Sequence, residues 1–278
     1  MRQTGPIGVF DSGVGGLTVL KAIHQQLPHE SILYFGDTAR VPYGTRSPQE
    51  IIQFVQEILH WMTQEQVRLV VMACNTSSAL ALQAVMGQFD LPMLGMIQPA
   101  AQAATASGSR IGVIATPATA ASGAYRRAIT ALNPSAQVWE VGCPAFVPLI
   151  EQNQIHTAKT RAVAQAYLAP LLDQGIDTLV YGCTHYPLLD PVIRELLPAS
   201  VRRIDPAAQV AIATAQQLSA SATRATRPPI TPRFCVSDGP EQFAQIASQW
   251  LGYMPQVEHL VPHRRAPGPL AAGVAQSA

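Results

Sequence analysis

The stretch Arg68–Leu82, RLVVMACNTSSALAL, sets an apolar run against a polar turn with a thiol at the junction. Leu69-Val70-Val71-Met72-Ala73 has the length and β-branched content of a strand buried on both faces, the kind that fills parallel sheets. Cys74 ends the run, and Asn75-Thr76-Ser77-Ser78 follow at once, residue types that open a helix or a turn. A core cysteine would stand inside the run, and a disulfide cysteine would need a partner. The other cysteines, Cys143, Cys183 and Cys235, lie far off and form no C-x-x-C pair, which supports neither a disulfide framework nor a zinc site.

Working outward, the junction occurs twice. VVMAC ending at Cys74 is echoed by LVYGC ending at Cys183, and Ile7-Gly8-Val9 by Ile111-Gly112-Val113. ILYFGDTARVPYG from Ile32 aligns with VWEVGCPAFVPLI from Val138, and GMIQPA from Gly95 with RRIDPA from Arg202. Four matches in one order, at offsets drifting between 104 and 109, read as an old duplication. Each copy alternates short apolar β-rich runs with longer helical stretches, the mark of βαβ units. The expected strands are Ile7–Phe10, Ser31–Phe35, Leu69–Met72 and Met93–Met96, then Arg110–Ala115, Gln137–Val141, Thr178–Tyr181 and Val201–Ile204. Ser47, Pro48 and Glu50 form a helix start ahead of the stripe Ile51, Phe54/Val55, Ile58, Met62. A further helix around Lys159–Leu172 stops near Gly175. The segment Ala207–Glu258 holds a helix, the strand Phe234-Cys235-Val236 and a helix begun by Asp238 with Glu241 three later.

The expected fold class is therefore α/β, two similar open parallel-sheet domains with the active site in the cleft between them. Residues 1–97 plus 207–258 make the first domain, residues 98–206 the second, and residues 259–278, rich in Pro, Ala and Gly, a disordered tail. A hydrophobic content of 48% with 13% charged residues suffices for a large core. A net charge of +1 gives no reason to expect nucleic acid or an acidic membrane as partner. No apolar run approaches a bilayer span and the N-terminus has no signal-peptide core, so a cytoplasmic protein is expected.

In open parallel sheets, ligands bind beyond the carboxyl ends of the strands, where Cys74 and Cys183 both stand. A helix start there offers free N–H groups and partial positive charge, which binds a carboxylate without lysine or arginine and favours a thiolate. Two thiols flanking one small anion suit inversion of a stereocentre, one taking a proton from one face and the other returning one to the opposite face. Only two lysines occur, Lys21 and Lys159, a thin supply for pyridoxal chemistry.

At this point GVFDSGVGGLTVL, YFGDTARVPYG, ACNTSSA, CPAFVPLIE and GCTHYPLL, in this order from Gly8 to Leu189, resemble the glutamate racemase family, the cofactor-independent amino-acid racemases of bacterial peptidoglycan synthesis. The resemblance implies Cys74 and Cys183 as the acid/base thiols. Asp11 would assist Cys74, and Glu151 and His185 would assist Cys183. It further implies substrate contacts from Asp11, Ser12, Tyr43, Gly44, Asn75, Thr76, Thr184 and His185, with Thr116 and Thr119 as additional candidates. No cofactor and no metal are implied, the partner is L- or D-glutamate, and a homodimer is a family-level expectation. GMIQPA departs from the family's Gly-Val-Ile-x-Pro-Gly at Met96 and Ala100, an expected matter of packing.

The residues themselves leave blander roles open. Cys143 and Cys235 read as packing residues, and Asp11 as a helix cap. Asp11-Ser12-Gly13-Val14-Gly15-Gly16 has neither dinucleotide spacing nor a Walker lysine, and so reads as a tight turn. Glu151 is an ordinary helix-start carboxylate and Tyr43 a loop aromatic until the resemblance promotes them. The rival functions are an aspartate racemase of the same superfamily, a single-thiol hydrolase or decarboxylase, and a non-catalytic two-lobed amino-acid-binding module.

Overall fold

The computed structural model describes residues 5–220 and 231–262. The eight strands of the two copies are β1 (Ile7–Asp11), β2 (Ile32–Gly36), β3 (Leu69–Met72), β4 (Met93–Gly95), β5 (Arg110–Ala115), β6 (Gln137–Gly142), β7 (Thr178–Gly182) and β8 (Arg202–Ile204). Two more follow, β9 (Arg233–Val236) and β10 (Val257–His259). They build a six-stranded sheet of order β10-β9-β2-β1-β3-β4 and a four-stranded sheet of order β6-β5-β7-β8. Every pairing is parallel. Once the two C-terminal strands are set aside, the orders β2-β1-β3-β4 and β6-β5-β7-β8 are the same path drawn twice. The duplication legible in the sequence is a duplication of topology.

Strand periodicity assigns the cores. In β1, Ile7 and Val9 enter one cluster with Leu20, Ile23 and Val71, while Phe10 enters the opposite one with Val70, Met72 and Val55. In the second sheet Val113 and Val180 face a cluster with Ile129, while Ile114, Leu179 and Tyr181 face Leu168 and Ile193. Both faces of each sheet are covered, so the strands read as unbroken apolar runs.

The helix Pro48–Gln64 carries the full reciprocal cap: Glu50 N–H donates to Ser47 Oγ, and Ser47 N–H donates to Glu50 Oε2 at 3.0 Å. The helix Ala158–Asp173 stops ahead of Gly175, whose φ of 61° is the left-handed conformation. After β8 the helix Pro206–Ala220 returns to the first sheet, where Ala207, Val210 and Leu218 share a core with Leu17 and Ile23.

Three local expectations are corrected. The helix Pro240–Leu251 is entered from Gly239, with no side-chain cap; Asp238 Oδ1 accepts instead from the neighbouring Gly239 N–H at 2.8 Å. Chain order does not end before His259, because His259 closes β10, Leu260 N–H donates to Val236 O at 2.8 Å, and Pro262 is buried. From residue 263 on, the expected tail lies outside the described residues. Glu151 stands at the last residue of the helix Phe146–Glu151, not at a helix start. No described helix is long and apolar enough to cross a membrane.

Candidate active site

The two copies meet along their carboxyl edges, and the meeting is close enough to exclude side chains. A Cβ on Gly15 would lie 2.3 Å from Thr184 Oγ1 and 2.5 Å from His185 Nδ1; one on Gly44 would lie 2.9 Å from Thr116 Cβ. Glycine lets these loops of the first lobe rest directly on the second. Hydroxyls bridge the same seam. Thr18 Oγ1 donates to Thr184 O at 3.1 Å, Thr184 Oγ1 donates to Asp11 Oδ2 at 3.3 Å, and the hydroxyls of Thr76, Thr116 and Thr119 lie 2.9–3.1 Å apart in a triangle.

Between the lobes lies a cavity of about 420 Å³, the size of a small-molecule site. Cys74 and Cys183 both line it, the first just past β3 and the second just past β7. With them come Ser12, Tyr43, Gly44, Asn75, Thr76, Thr116, Glu151, Thr184 and His185, all named from the sequence. No lysine or arginine is among the lining residues.

Two named residues stand behind the wall. Asp11 is fully buried, with Oδ1 accepting from Gly13 N–H at 3.0 Å and Oδ2 from Thr184. Thr119 is also fully buried and reaches the cavity only through the Thr76 and Thr116 hydroxyls. Both touch the lining through hydrogen-bonded neighbours and form none of its surface.

Around Cys74 the environment opposes charge. Burial is the largest cause, the Asp11 carboxylate adds to it, and together they push the thiol up to about 12. Hydrogen bonds from the Ser77 and Thr76 backbone pull the other way and lose. The expectation that a helix start would favour a Cys74 thiolate is thus overturned. The helix behind it, Asn75–Leu80, has only six residues, and its backbone donors do not offset desolvation. Burial likewise raises the Asp11 carboxyl, against the His185 charge and the hydrogen bonds from Gly13, Gly16 and Thr184.

Around Cys183 a chain of titratable groups runs outward. Cys183 Sγ is 3.8 Å from His185 Nδ1, and His185 Nε2 is 3.1 Å from Glu151 Oε1. Burial by itself would depress His185, but the Cys183 sulfur, the Glu151 carboxylate and the Asp11 charge outweigh it and raise the imidazole to about 10. The Trp250 indole stands edge-on to the imidazole, ring centres 5.9 Å apart, and shields it.

Some contributors were not assigned a role from the sequence. Cys143, expected only to pack, also lines the cavity, with burial pushing its thiol up to about 12. Its signal was present: Cys143 follows β6 as Asp37 follows β2, so the strand-end rule that selected Cys74 and Cys183 selects it too. Asp37 accepts from the Tyr43 hydroxyl, from Arg40 Nε at 3.0 Å and from Ser237 Oγ at 2.8 Å. It thereby ties the Tyr43-Gly44 wall to the strand β9. Among the described residues no three His, Cys, Asp or Glu side chains converge as a metal cluster.

Two parallel sheets that each present a thiol at a shared, lysine-free cavity define a two-lobed α/β protein with a small-molecule site between its lobes. Residues 7–215 match the family described as Asp/Glu/Hydantoin racemase. The chain is 59% identical over 256 residues to the glutamate racemase of Gloeothece citriformis, covering 92% of each. It superposes on glutamate racemase isoform RacE1 from Bacillus anthracis with a TM-score of 0.90 at 37% identity, covering 94% of this chain and 98% of that one. For the Francisella tularensis glutamate racemase in complex with D-glutamate the TM-score is 0.88 at 35% identity, covering 93% and 98%. The chain belongs to the Asp/Glu/hydantoin racemase family. It is accordingly an isomerase that acts on amino acids.

Proposed function

We propose that this enzyme interconverts L- and D-glutamate by two-base proton transfer at Cα, with Cys74 and Cys183 as the bases and no cofactor. The observation that carries the reading is the opening of both thiols, one from each lobe, onto one cavity of about 420 Å³. With its thiol pushed up to about 12, Cys74 rests protonated and is the donor; Cys183, paired with His185, takes the Cα proton from the other face. One proton leaves the substrate for Cys183 and one arrives from Cys74, so the exchange balances. The opposite enantiomer meets the enzyme with the two sulfurs' protonation exchanged and runs the same step backwards. Backbone N–H groups and hydroxyls along the cavity stabilise charge that develops on the substrate, in the absence of lysine or arginine.

Asp11 assists Cys74 from behind; His185 and Glu151 assist Cys183. Ser12, Tyr43, Gly44, Asn75, Thr76, Thr116 and Thr184 hold the substrate, and Thr119 supports them. The site lies between a first domain of residues 1–97 plus 207–258 and a second of residues 98–206. The product role that fits the reading is supply of D-glutamate for peptidoglycan, and hence cell shape, in the cytoplasm. The near relatives named glutamate racemase favour glutamate over aspartate.

The test is incubation of L- or D-glutamate with the enzyme in D2O, without cofactor, followed by NMR of the α-proton. Wild type exchanges and racemises. Cys74→Ala and Cys183→Ala each lose racemisation by about 10²–10⁴-fold. Full turnover in both single variants would remove these thiols as the bases, and faster turnover of aspartate would reassign the substrate.

A further inference from the structure

Asn75 follows Cys74 directly and lines the cavity, yet only half of its amide is satisfied. Oδ1 accepts a hydrogen bond from the Tyr125 hydroxyl at 2.6 Å. Nδ2 is buried and has no partner among the described residues. A buried amide nitrogen left unpaired is costly, and native structures seldom keep one unless water or a ligand completes it. Tyr125 comes from the other lobe, on the helix Ala124–Leu132, which follows Gly123 in the left-handed conformation at φ 64°. Its ring is wholly buried in the second-sheet core with Ala100, Ala104 and Ile129, so it forms no part of the cavity wall.

We propose that Tyr125 is a positioning residue: its hydroxyl bonds Asn75 Oδ1 and so turns the Asn75 amide nitrogen into the cavity as a donor to a substrate carboxylate. The inference rests on the glutamate reading for its substrate. Amide orientation is decided by the donors and acceptors around it. The Tyr125 hydroxyl makes no other hydrogen bond among the described residues, so its proton has one acceptor, Oδ1. Burial holds that hydroxyl protonated well above the ordinary tyrosine range, which keeps the donor available throughout the working pH range. With Oδ1 engaged, Nδ2 is the donor left to meet a substrate carboxylate. The bond also spans the lobes, so a residue of the second lobe orients the residue beside the first lobe's thiol.

The experiment is steady-state racemisation of both enantiomers by Tyr125→Phe, Asn75→Ala, Asn75→Asp and the Tyr125→Phe/Asn75→Ala double variant. Loss of one positioning hydrogen bond is expected to raise KM about tenfold in Y125F, with kcat changed less than about threefold. In the N75A background the same hydroxyl deletion is expected to change KM by less than about twofold, since the group it orients is gone. N75D keeps the acceptor for Tyr125 but presents oxygen where the amide nitrogen stood, so its KM rises at least as far as that of N75A. A wild-type KM in Y125F, an equal effect of the hydroxyl deletion in both backgrounds, or a wild-type KM in N75D would each overturn the proposal. Should Y125F not fold, the N75D arm decides alone. If wild type racemises no glutamate, the proposed function fails. The hydroxyl–amide bond is then read from thermal unfolding, where non-additive Tm losses in the cycle uphold it and additive losses overturn it.

Discussion

The ends of β3 and β7 are topological equivalents, each the third strand of its copy and each followed by a cysteine, yet the two thiols live in opposite electrostatic settings. Behind Cys74 stands Asp11, a carboxylate with no exposed surface, and desolvation together with its charge pushes the thiol up to about 12. Beside Cys183 stands His185, raised to about 10 and linked through Nε2 to Glu151, whose side chain keeps 35% of its surface exposed. The first half-site sets a buried carboxylate behind its thiol; the second sets a raised imidazole beside its thiol, linked to a partly exposed carboxylate. Duplication supplied two equal positions, and divergence of their neighbours made them unequal.

The largest expected break in that contrast comes from His185→Asn. Removing the cation beside Cys183 should lower kcat/KM by about 10²–10⁴-fold. The same variant carries a stability signature. The folded value of His185, about 10, lies above its ordinary 6.5, so the stabilisation from its charge is whole below pH 6.5 and drains as pH rises towards 10. The Tm gap between wild type and H185N should therefore narrow across that window; a constant gap would place the raised value elsewhere.

An intermediate effect is expected at the other half-site. Site-resolved alkylation of Cys74 should rise by about tenfold per pH unit from pH 7 to 10 without levelling, because only the thiolate reacts. Asp11→Asn removes the second cause of the raised value and should shift the curve to lower pH, with burial still holding it above an ordinary thiol. An unchanged curve would separate Asp11 from Cys74.

The smallest effect belongs to a position outside both half-sites. Ser47→Ala breaks the cap of Pro48–Gln64 and should cost about 1 kcal/mol in denaturant unfolding, with racemisation unchanged. Loss of activity there would mean that the helix, and not only the strand ends, tunes the contrast.

Much of the architecture was legible because it repeats. Four motif pairs located eight strands, and apolar runs closing on polar turns located both thiols. The parallel-sheet rule then sent Cys74 and Cys183 to the same kind of edge. What escaped is what the rule does not contain. The cap of Pro240–Leu251 was misread since Asp238 finds a nearer donor in Gly239 N–H, a choice of rotamer that spacing does not encode. The Cys74 charge state was misread since helix starts are visible in sequence and burial is not. Cys143 was passed over although the repeat itself pairs it with Asp37. Asp11 and Thr119 are expected among the substrate contacts, and the structure sets both one layer behind the cavity lining, which depends on packing and not on spacing.

Local periodicity, turn chemistry and an internal duplication are properties of neighbouring residues, and from these the sequence by itself determined two α/β copies with a thiol at corresponding strand ends. Which residues share one cavity, which carboxylate lies beneath which thiol, and how Tyr125 comes to face Asn75 across the lobes depend on contacts between residues up to 200 positions apart. Desolvation and through-space charge act over ångströms and take no account of chain separation, so only the tertiary structure decided them.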